Sequence, residues 1–262
     1  MGTPLETLTY HLSSMPLAGA STYLACVWGL HKLMAPRKAL AIPRPVLVLY
    51  NAAQVLINLY VAYMIAAPLG GAVWGIGHKD SPAVRYGVYL HMLCKYLDYA
   101  DTLIIVLRKK SEQLSFLHLW HHATILIVWG WVVNTWPTAE EGGSAAYAYG
   151  AWVNSCVHVV MYFYYGLTAL GMKPPFKKAV TTVQLTQFAS CIAMAFLALA
   201  IDKTPAFYNA VQVAYHIGML RLFLPLLLRK PAAGGKAKSQ PCSGASGEVP
   251  STPATDKALK AE

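Results

Sequence analysis

Charged side chains are scarce in this sequence. Asp, Glu, Lys and Arg account for 12% of the 262 residues, whereas hydrophobic residues account for 56%. A soluble domain carries about 25% charged residues, so this composition excludes an ordinary soluble domain. The hydrophobic residues fall in blocks of the length that a membrane helix needs, about 20 residues. We therefore predict an all-α polytopic membrane protein with seven transmembrane helices, at 17–34, 46–69, 86–107, 115–133, 145–170, 179–201 and 207–228.

The third predicted span is unusual because it contains Lys95, Asp98 and Asp101, and a six-span protein is the alternative. The distribution of basic residues favours seven spans. With an outside N-terminus, most of the 21 Lys and Arg residues then fall in cytoplasmic segments, which is the positive-inside pattern of membrane proteins. The sequence divides accordingly into a luminal segment at 1–16, a seven-helix membrane domain at 17–230 and a disordered, basic cytoplasmic tail at 231–262.

Paired cysteines are also lacking. The five cysteines are scattered singly, and no two of them have the spacing of a disulfide or of a metal site. We expect no metal and no cofactor. The net charge of +10 is spread over loops beside the membrane rather than gathered on one soluble face. We therefore expect the lipid bilayer as a partner, with contacts to anionic lipids, and no nucleic acid.

Histidines supply the strongest functional pattern. His118, His121 and His122 stand at positions i, i+3 and i+4 of the fourth predicted span, so a helix presents all three imidazoles on one face. Ionisable side chains at membrane depth are costly and usually mark function. A single buried histidine is more often a satisfied core residue, but three on one face favour a chemical role.

Three further sets of polar residues stand at helical spacing inside spans. The third span has Lys95, Asp98, Asp101 and Thr102, the fifth has Asn154, His158, Tyr162 and Tyr165, and the sixth has Thr181, Gln184 and Gln187. Each set falls on one helix face. For the first set, the alternative is a buried ion pair that holds helices together. For the third set, the alternative is structural hydrogen bonding between helices.

These four motifs, in this order, resemble the ELO family of membrane fatty acid elongases, the 3-oxoacyl-CoA synthases of the endoplasmic reticulum. The histidine box is His118-Leu-Trp-His121-His122, and the resemblance covers roughly residues 17–230. Asp98 departs from the family pattern, which usually has glutamate at this position. Since its side chain is one methylene shorter, its hydrogen bonds would require a shifted backbone.

The resemblance implies a barrel of six spans around a closed acyl tunnel, with a seventh span alongside. It places the protein in the endoplasmic reticulum membrane as a multi-pass protein with a cytoplasmic C-terminus. The implied reaction is the decarboxylative condensation of malonyl-CoA with a long-chain fatty acyl-CoA to give 3-oxoacyl-CoA. The implied partners are the 3-ketoacyl reductase, dehydratase and enoyl reductase of the elongation cycle. The oligomeric state stays open, a homodimer included.

The chemistry of the reaction suits the histidines. A neutral imidazole can accept an acyl group from a thioester, whereas no cysteine in the spans has a plausible base at a fixed spacing. We therefore assign the nucleophile to histidine, and the resemblance points to His121. His158 is then its partner across the tunnel, with His118 and His122 as acid, base or orienting groups.

The other polar residues of the motifs are predicted to bind substrate or to support the histidines. They are Lys95, Asp98, Asp101, Thr102, Asn154, Tyr162, Tyr165, Gln184 and Gln187. Asn154 and Gln184, together with His122, are candidate donors to the enolate oxygen. The charged members are predicted to tune the protonation of the imidazoles, since nearby charges shift it.

Basic residues beside the predicted tunnel mouth are candidates for binding the CoA phosphates, because charge-assisted hydrogen bonds to phosphate are strong. They are Arg108, Lys109, Lys110, Lys173, Lys177 and Lys178. The run Arg108-Lys109-Lys110 and the presence of His118 at the first position of the box resemble the sequences of polyunsaturated-type elongases of protists and algae.

Two other classes of protein share parts of this pattern. A membrane di-iron desaturase or oxidase also uses His-x-x-His-His, but such enzymes carry several histidine boxes and this sequence has one. A seven-helix transporter or receptor also buries charged residues, but three clustered histidines exceed what ligand binding requires. The sequence therefore favours a fatty acid elongase.

Overall fold

The computed structural model describes residues 16–228 of the chain. The predicted luminal segment up to residue 15 and the predicted tail at 231–262 lie outside the described residues. Eight α-helices and three short 3-10 helices form the described part, which contains no β-strand. The α-helices are α1 Pro16–Met34, α2 Arg44–Ala66, α3 Pro82–Leu97, α4 Tyr99–Leu107, α5 Phe116–Thr135, α6 Ala148–Ala169, α7 Lys177–Ile201 and α8 Ala206–Leu228. The 3-10 helices are Ala67–Leu69, Ser111–Gln113 and Ala145–Tyr147.

The predicted spans coincide with these helices, and the third is divided into two. Asp98 separates α3 from α4, and the backbone N–H of Asp101 bonds to the Asp98 carbonyl at 3.2 Å, a tighter turn than an α-helix makes. Four helical segments are long and apolar enough to cross a membrane by length and composition. They are Arg44–Leu69, Phe116–Thr135, Lys177–Ile201 and Ala206–Leu228. The described part is therefore that of an all-helical, multi-pass membrane protein.

Large apolar side chains cover the outer faces of the helices. Trp28, Leu49, Leu56, Phe116 and Phe207 each expose about two thirds of their side chain or more. Exposed apolar surface on this scale marks an interaction surface in a soluble protein, whereas it is expected where helices meet lipid.

The helices contact one another in an order that returns to its start. α2 packs along α6, α6 against α7, α7 against α8, α8 against α5, α5 against α3, and α3 against α2, while α1 lies against α4 and α5. Gly87 allows the close approach of α3 to α2, since an added Cβ would lie 2.9 Å from the Met64 carbonyl oxygen. The main apolar core includes Ile65, Met92, Leu126 and Ala151. It therefore joins α2, α3, α5 and α6.

Capping residues determine where two of the site-bearing helices begin. The hydroxyl of Ser81 accepts a hydrogen bond from the backbone N–H of Val84 at the start of α3. Ser115 accepts one from the backbone N–H of His118 at 3.2 Å at the start of α5. Such N-caps satisfy a backbone donor that has no partner within the helix. The cap on α5 thus fixes the first turn of the helix that carries the histidine box.

α8 is the least buried of the long helices. Within this fully described helix of 23 residues, the buried ones are Asn209 and Met219. The other residues of this helix are exposed or half-buried, and its inner face contributes Tyr208, Tyr215 and His216 to an internal cavity.

The loops at 70–81 and 137–145 are tied together at one end of the helices, and we call these contacts the loop clasp. The Asp80 carboxylate lies 2.5 Å from Nε of Arg85 and accepts a hydrogen bond from the Tyr147 hydroxyl at 3.1 Å. Arg85 also donates to the carbonyls of Trp136 and Pro137. A hydrogen bond between the Ser144 hydroxyl and Asp202 connects the clasp to the end of α7.

Replacing Arg85 by alanine is expected to lower the free energy of unfolding by about 3 kcal/mol, because Asp80 would stay buried without its cation. Burial raises the pKa of Asp80, with the Arg85 guanidinium opposing part of the rise, and loss of Arg85 raises this pKa further. A carboxyl whose folded pKa lies above its unfolded one destabilises the fold when ionised, and the penalty disappears as pH falls through the folded pKa. Thermal unfolding should therefore show a smaller deficit at pH 5 than at pH 8.

The matched control is Lys79→Ala, which removes an exposed cation from the same loop and should unfold like the wild type. Equal deficits for Arg85→Ala at both pH values would contradict the role assigned to the buried carboxylate.

Candidate active site

The three histidines of the box lie together at the start of α5. The ring centroids of His118 and His122 are 4.3 Å apart, and those of His121 and His122 are 5.6 Å apart. The prediction that one helix face carries all three imidazoles is therefore confirmed. Their individual roles remain predictions.

His118 is tied to the helices on the α1 side. Its Nε2 lies 2.7 Å from the hydroxyl of Thr102, which is fully buried on α4. The Thr102 hydroxyl in turn lies 3.0 Å from the hydroxyl of Tyr23 on α1. Thr102 was predicted to support the site, and the structure brings it into direct contact with the first histidine of the box.

Lys95 and Asp98 form a buried ion pair. Their side chains are almost completely buried, and Nζ of Lys95 lies 3.2 Å from Oδ2 of Asp98. Nζ also donates to Oδ1 of Asn154 on α6 at 2.9 Å. Nδ1 of His158 lies 3.7 Å from the same Asp98 oxygen. The pair therefore connects α3 to the polar face of α6, which supports both the predicted functional role and the structural alternative.

Asp101 reaches the same cluster from the first turn of α4. The Tyr162 hydroxyl lies 2.6 Å from Oδ2 of Asp101 and 3.1 Å from Oδ1 of Asp98. Tyr50 on α2 donates to Oδ1 of Asp101 at 2.9 Å. Both carboxylates thus meet at one tyrosine. The interruption between α3 and α4 falls at Asp98, and the shift of its backbone relative to a glutamate at this position stays a prediction.

Three of the four predicted residues on α6 lie on its inner face. Asn154, His158 and Tyr162 are buried, whereas Tyr165 is 41% exposed. Tyr165 contacts the ring of Tyr162 edge-on, with the ring centroids 6.1 Å apart. The structure therefore brings Tyr165 only to the margin of the cluster.

The two predicted glutamines of α7 differ in position. Gln187 is buried, and its Oε1 lies 3.5 Å from Nδ2 of Asn154. Gln184 instead places its amide nitrogen 3.7 Å from the sulfur of Met161. Gln187 therefore joins the polar cluster through Asn154, whereas Gln184 does not contact the histidines.

A cavity extends from this cluster along α5 towards the loop clasp. His121, Asn154 and Gln187 line it near the histidine box, and Trp136 and Tyr147 line it at the other end. The backbone rise between His121 and Trp136 corresponds to about 22 Å at 1.5 Å per residue. The other lining residues are Ile125, Val128, Trp129, Trp131, Val132, Gly150, Phe188, Tyr208, Val211, Gln212, Tyr215 and His216.

Stacked aromatic rings occupy the far end of the cavity. Trp136 stacks on Tyr147 with ring centroids 4.7 Å apart, and Trp131 stacks on Tyr208 at 4.5 Å. Trp136 and Tyr208 meet edge-on at 5.0 Å. With about 60 Å³ of free space, the cavity is narrow, so a long ligand would have to move these rings aside.

The basic residues predicted to bind CoA are not equivalent in the structure. Lys110, Lys173, Lys177 and Lys178 are exposed, and Arg108 is half-buried. Lys109 has a left-handed backbone with φ of 51°, and its Nζ donates to the carbonyl of Ala35 at 3.0 Å. It lines a second cavity of about 320 Å³ with His31 and Ser111, which shares no lining residue with the first cavity.

Residues outside the predicted site also contact it from other helices. Tyr215 on α8 places its hydroxyl 3.2 Å from Nδ1 of His121 and 3.3 Å from Oγ1 of Thr124. Gln54 on α2 lies within 3.5 Å of Oδ1 of Asp98. Gln54 carried a signal, since it is an amide inside a span, whereas a tyrosine in an apolar helix is too common to stand out.

Among the described residues, no group of three or more His, Cys, Asp or Glu side chains has the arrangement of a metal site. The expectation of a reaction without metal remains a prediction.

The fold and the site together define a multi-pass helical membrane protein with a narrow, mainly apolar cavity that begins at a cluster of imidazoles. Comparison with known proteins identifies the family. The sequence pattern of the GNS1/SUR4 family, also called ELO, matches residues 9–239. The chain belongs to this family.

Curated relatives match most of this chain. Fatty acid elongase 5 of Leishmania major is 39% identical over 203 residues, which are 77% of this chain and 79% of the relative. Fatty acid elongase 4 of Trypanosoma brucei brucei is 34% identical over 224 residues, covering 85% of this chain and 86% of the relative. Very long chain fatty acid elongase 4 of Homo sapiens is 33% identical over 245 residues, covering 86% and 76%.

Proposed function

We propose that this fatty acid elongase condenses malonyl-CoA with a long-chain fatty acyl-CoA through an acyl-histidine intermediate. Fatty acid elongation rests on the family and on the names of the relatives. The observation that best supports the mechanism is the cavity, because His121 lines it together with mainly apolar residues along α5 as far as Trp136. In the proposed complex the acyl chain follows this apolar lining, with its carbonyl carbon at the imidazole and the aromatic rings at the far end moved aside.

The proposed architecture has seven spans, six of which surround the channel. The closed order of contacts among α2, α6, α7, α8, α5 and α3 supports this barrel, with α1 as the span alongside. In this arrangement α3 and α4 form one interrupted span. The proposed location is the endoplasmic reticulum membrane with a cytoplasmic C-terminus, so that the histidine box lies near the cytoplasmic side and the loop clasp on the luminal side.

In the first step, His121 attacks the thioester carbonyl carbon of the acyl-CoA. The new C–N bond replaces the C–S bond, CoA leaves as the thiolate and takes up a proton, and the chain stays on the imidazole. In the second step, malonyl-CoA loses carbon dioxide, and the resulting enolate carbon attacks the acyl-imidazole carbonyl. The C–N bond then breaks, which releases His121 and 3-oxoacyl-CoA.

The remaining polar residues position these groups and stabilise developing charge. Asn154 is the proposed donor to the enolate oxygen, because its amide lies at the cavity wall and is held by Lys95 and Gln187. His158 lies one helical turn further along α6 beside Asp98, and it is the proposed acid–base group for the second step. His118 and His122 are the proposed orienting or acid–base groups of the box.

The two ends of the channel have different proposed tasks. The exposed basic residues near the histidine end, which include Lys177 and Lys178, would bind CoA phosphates. The stacked rings of Trp136, Tyr147 and Tyr208 at the clasp end would limit the length of the acyl chain. A polyunsaturated acyl-CoA is the proposed substrate class, on the resemblance of the Arg108-Lys109-Lys110 run.

The experiment that tests this function supplies the purified protein in lipid nanodiscs with acyl-CoA and radiolabelled malonyl-CoA. We expect release of labelled carbon dioxide and a 3-oxoacyl-CoA two carbons longer than the substrate. Incubation with acyl-CoA alone should give a protein heavier by the mass of one acyl group. Absence of both products with saturated and polyunsaturated acyl-CoA of several lengths would reject the proposal, and stoichiometric bound iron required for activity would favour an oxidase instead.

A further inference from the structure

A chain of hydrogen bonds connects His121 to a backbone carbonyl through two hydroxyl groups. We propose that this chain fixes the tautomer of His121, with its proton on Nδ1, and so leaves Nε2 unprotonated as the attacking atom. Tyr215 and Thr124 are then positioning residues that act through His121. The inference rests on the proposed function: that function makes His121 the nucleophile, and the inference names the nitrogen atom that attacks.

The direction of the chain is set at its Trp120 end. The Thr124 hydroxyl lies 2.6 Å from the carbonyl oxygen of Trp120, one turn earlier on α5, and 3.5 Å from that of His121. A carbonyl oxygen can only accept, and a hydroxyl has one hydrogen. Thr124 therefore donates its hydrogen to the backbone, and its oxygen is left as an acceptor.

The next link concerns the single hydrogen of Tyr215. The Tyr215 hydroxyl lies 3.3 Å from Oγ1 of Thr124 and 3.2 Å from Nδ1 of His121, so its hydrogen can go to either acceptor. In the proposed chain of hydrogen bonds Tyr215 donates this hydrogen to Thr124, whose own hydrogen is already used. The Tyr215 oxygen is then left as an acceptor for a further partner.

That further partner is His121. Its Nδ1 lies 3.2 Å from the Tyr215 oxygen, and in the proposed direction this oxygen accepts, so Nδ1 carries the hydrogen. In a neutral imidazole the other nitrogen is then an acceptor with a free lone pair. Nε2 of His121 has no hydrogen-bond partner within the described part of the chain, and His121 lines the cavity. The nitrogen lone pair that the reaction needs is therefore available at the cavity.

His118 of the box has a different partner. Its Nε2 lies 2.7 Å from the Thr102 hydroxyl, whereas the contact of His121 with Tyr215 is through Nδ1. Tyr215 is held in place by its stack on the Trp120 ring, with centroids 5.3 Å apart. The same residue thus supplies both the terminal carbonyl of the chain and the surface on which the tyrosine rests.

The tautomer can be measured without any reaction. The full-length protein, labelled with ¹⁵N at histidine and placed in nanodiscs, gives separate chemical shifts for the protonated and unprotonated ring nitrogens, and the signal of His121 is assigned by its loss in His121→Ala. We expect protonated Nδ1 and unprotonated Nε2. A His121 signal with hydrogen on Nε2 in the wild type would overturn the proposal, whether or not the protein elongates fatty acids.

Variants of Thr124 and Tyr215 give a kinetic test. If these residues only supported the fold, the order of rates expected below would not appear. In Thr124→Val the acceptor for Tyr215 is gone, so the tyrosine hydrogen turns to Nδ1 and favours the wrong tautomer. In Tyr215→Phe the bias disappears altogether. Since a buried hydrogen bond shifts an equilibrium by roughly tenfold, acyl transfer to the protein should slow about tenfold in Thr124→Val and about twofold in Tyr215→Phe, with little change in KM.

The double variant Thr124→Val/Tyr215→Phe should be faster than Thr124→Val alone, and Thr124→Ser should restore the wild-type rate because it keeps the hydroxyl. The matched control is Thr135→Val, which removes the same type of threonine-to-carbonyl bond at the exposed end of α5 and should leave the rate unchanged. A double variant slower than Thr124→Val would overturn the proposed direction of the chain. Failure of the proposed function itself would show differently, as full activity in His121→Ala.

Discussion

Replacing His121 by alanine is expected to abolish elongation, with kcat lower by more than about 10³-fold, as for the loss of a covalent nucleophile. The expectation follows from the position of His121, which lines the cavity, and from its proposed role as the nucleophile. The rate of conversion of acyl-CoA and labelled malonyl-CoA measures the effect. The acyl adduct that forms with acyl-CoA alone should also disappear.

The control for this prediction is His78→Ala, which removes an exposed histidine in the loop clasp and should elongate like the wild type. His158→Ala should still form the acyl adduct and fail mainly in the condensation, since its imidazole lies beside Asp98 rather than at the box. Normal elongation by a His121→Ala/His158→Ala double variant would refute the proposed mechanism.

Replacing Asp98 by asparagine is expected to have the largest effect on stability, lowering the free energy of unfolding by about 3–5 kcal/mol. Lys95 is 1% exposed, and without the Asp98 carboxylate 3.2 Å away its ammonium would stay buried without its ion-pair partner. Elongation should fall with the amount of folded protein. Thermal unfolding in detergent and the yield of monodisperse protein measure the first effect, and activity per folded molecule measures any additional one.

The double variant Lys95→Met/Asp98→Asn separates structure from function. It removes both buried charges, so most of the lost stability should return. If the ion pair also orients Asn154 and His158, the double variant should fold but elongate at least tenfold more slowly, since a misplaced group at a reacting centre costs about 10²-fold. If the double variant is as stable and as active as the wild type, the ion pair neither stabilises the fold nor orients Asn154 and His158, and the prediction is wrong.

Helical spacing carried most of the sequence-based prediction of the site. It grouped His118 with His122, and Asn154 with His158, because residues three or four apart share a helix face whatever the rest of the fold does. The same rule could not say which helices face each other. The contact between Lys95 and Asn154 joins residues on different helices, and periodicity within one helix contains no such information.

The sequence did not predict the positions at which the backbone leaves regular helical geometry. Asp98 interrupts its span, and Lys109 adopts a positive φ, with its Nζ donating to the carbonyl of Ala35. Tyr165 is eleven residues after Asn154, about three full turns, so it returns to the same helix face, but it lies near the C-terminal end of α6 and is 41% exposed. Tyr215 and Thr124 were missed because single hydroxyl-bearing residues in apolar helices are common, and their significance lies in the neighbour they touch.

The shallow burial of α8 gives the surrounding lipid a share in the reaction centre. This helix places Tyr215 against His121, and of its residues Asn209 and Met219 are the buried ones, so lipid is expected to contact the outer face of the same helix. The Lys95–Asp98 pair lies on other helices and is almost completely buried. Elongation by the protein reconstituted in bilayers of different thickness would therefore test the Tyr215–His121 contact more directly than the buried ion pair.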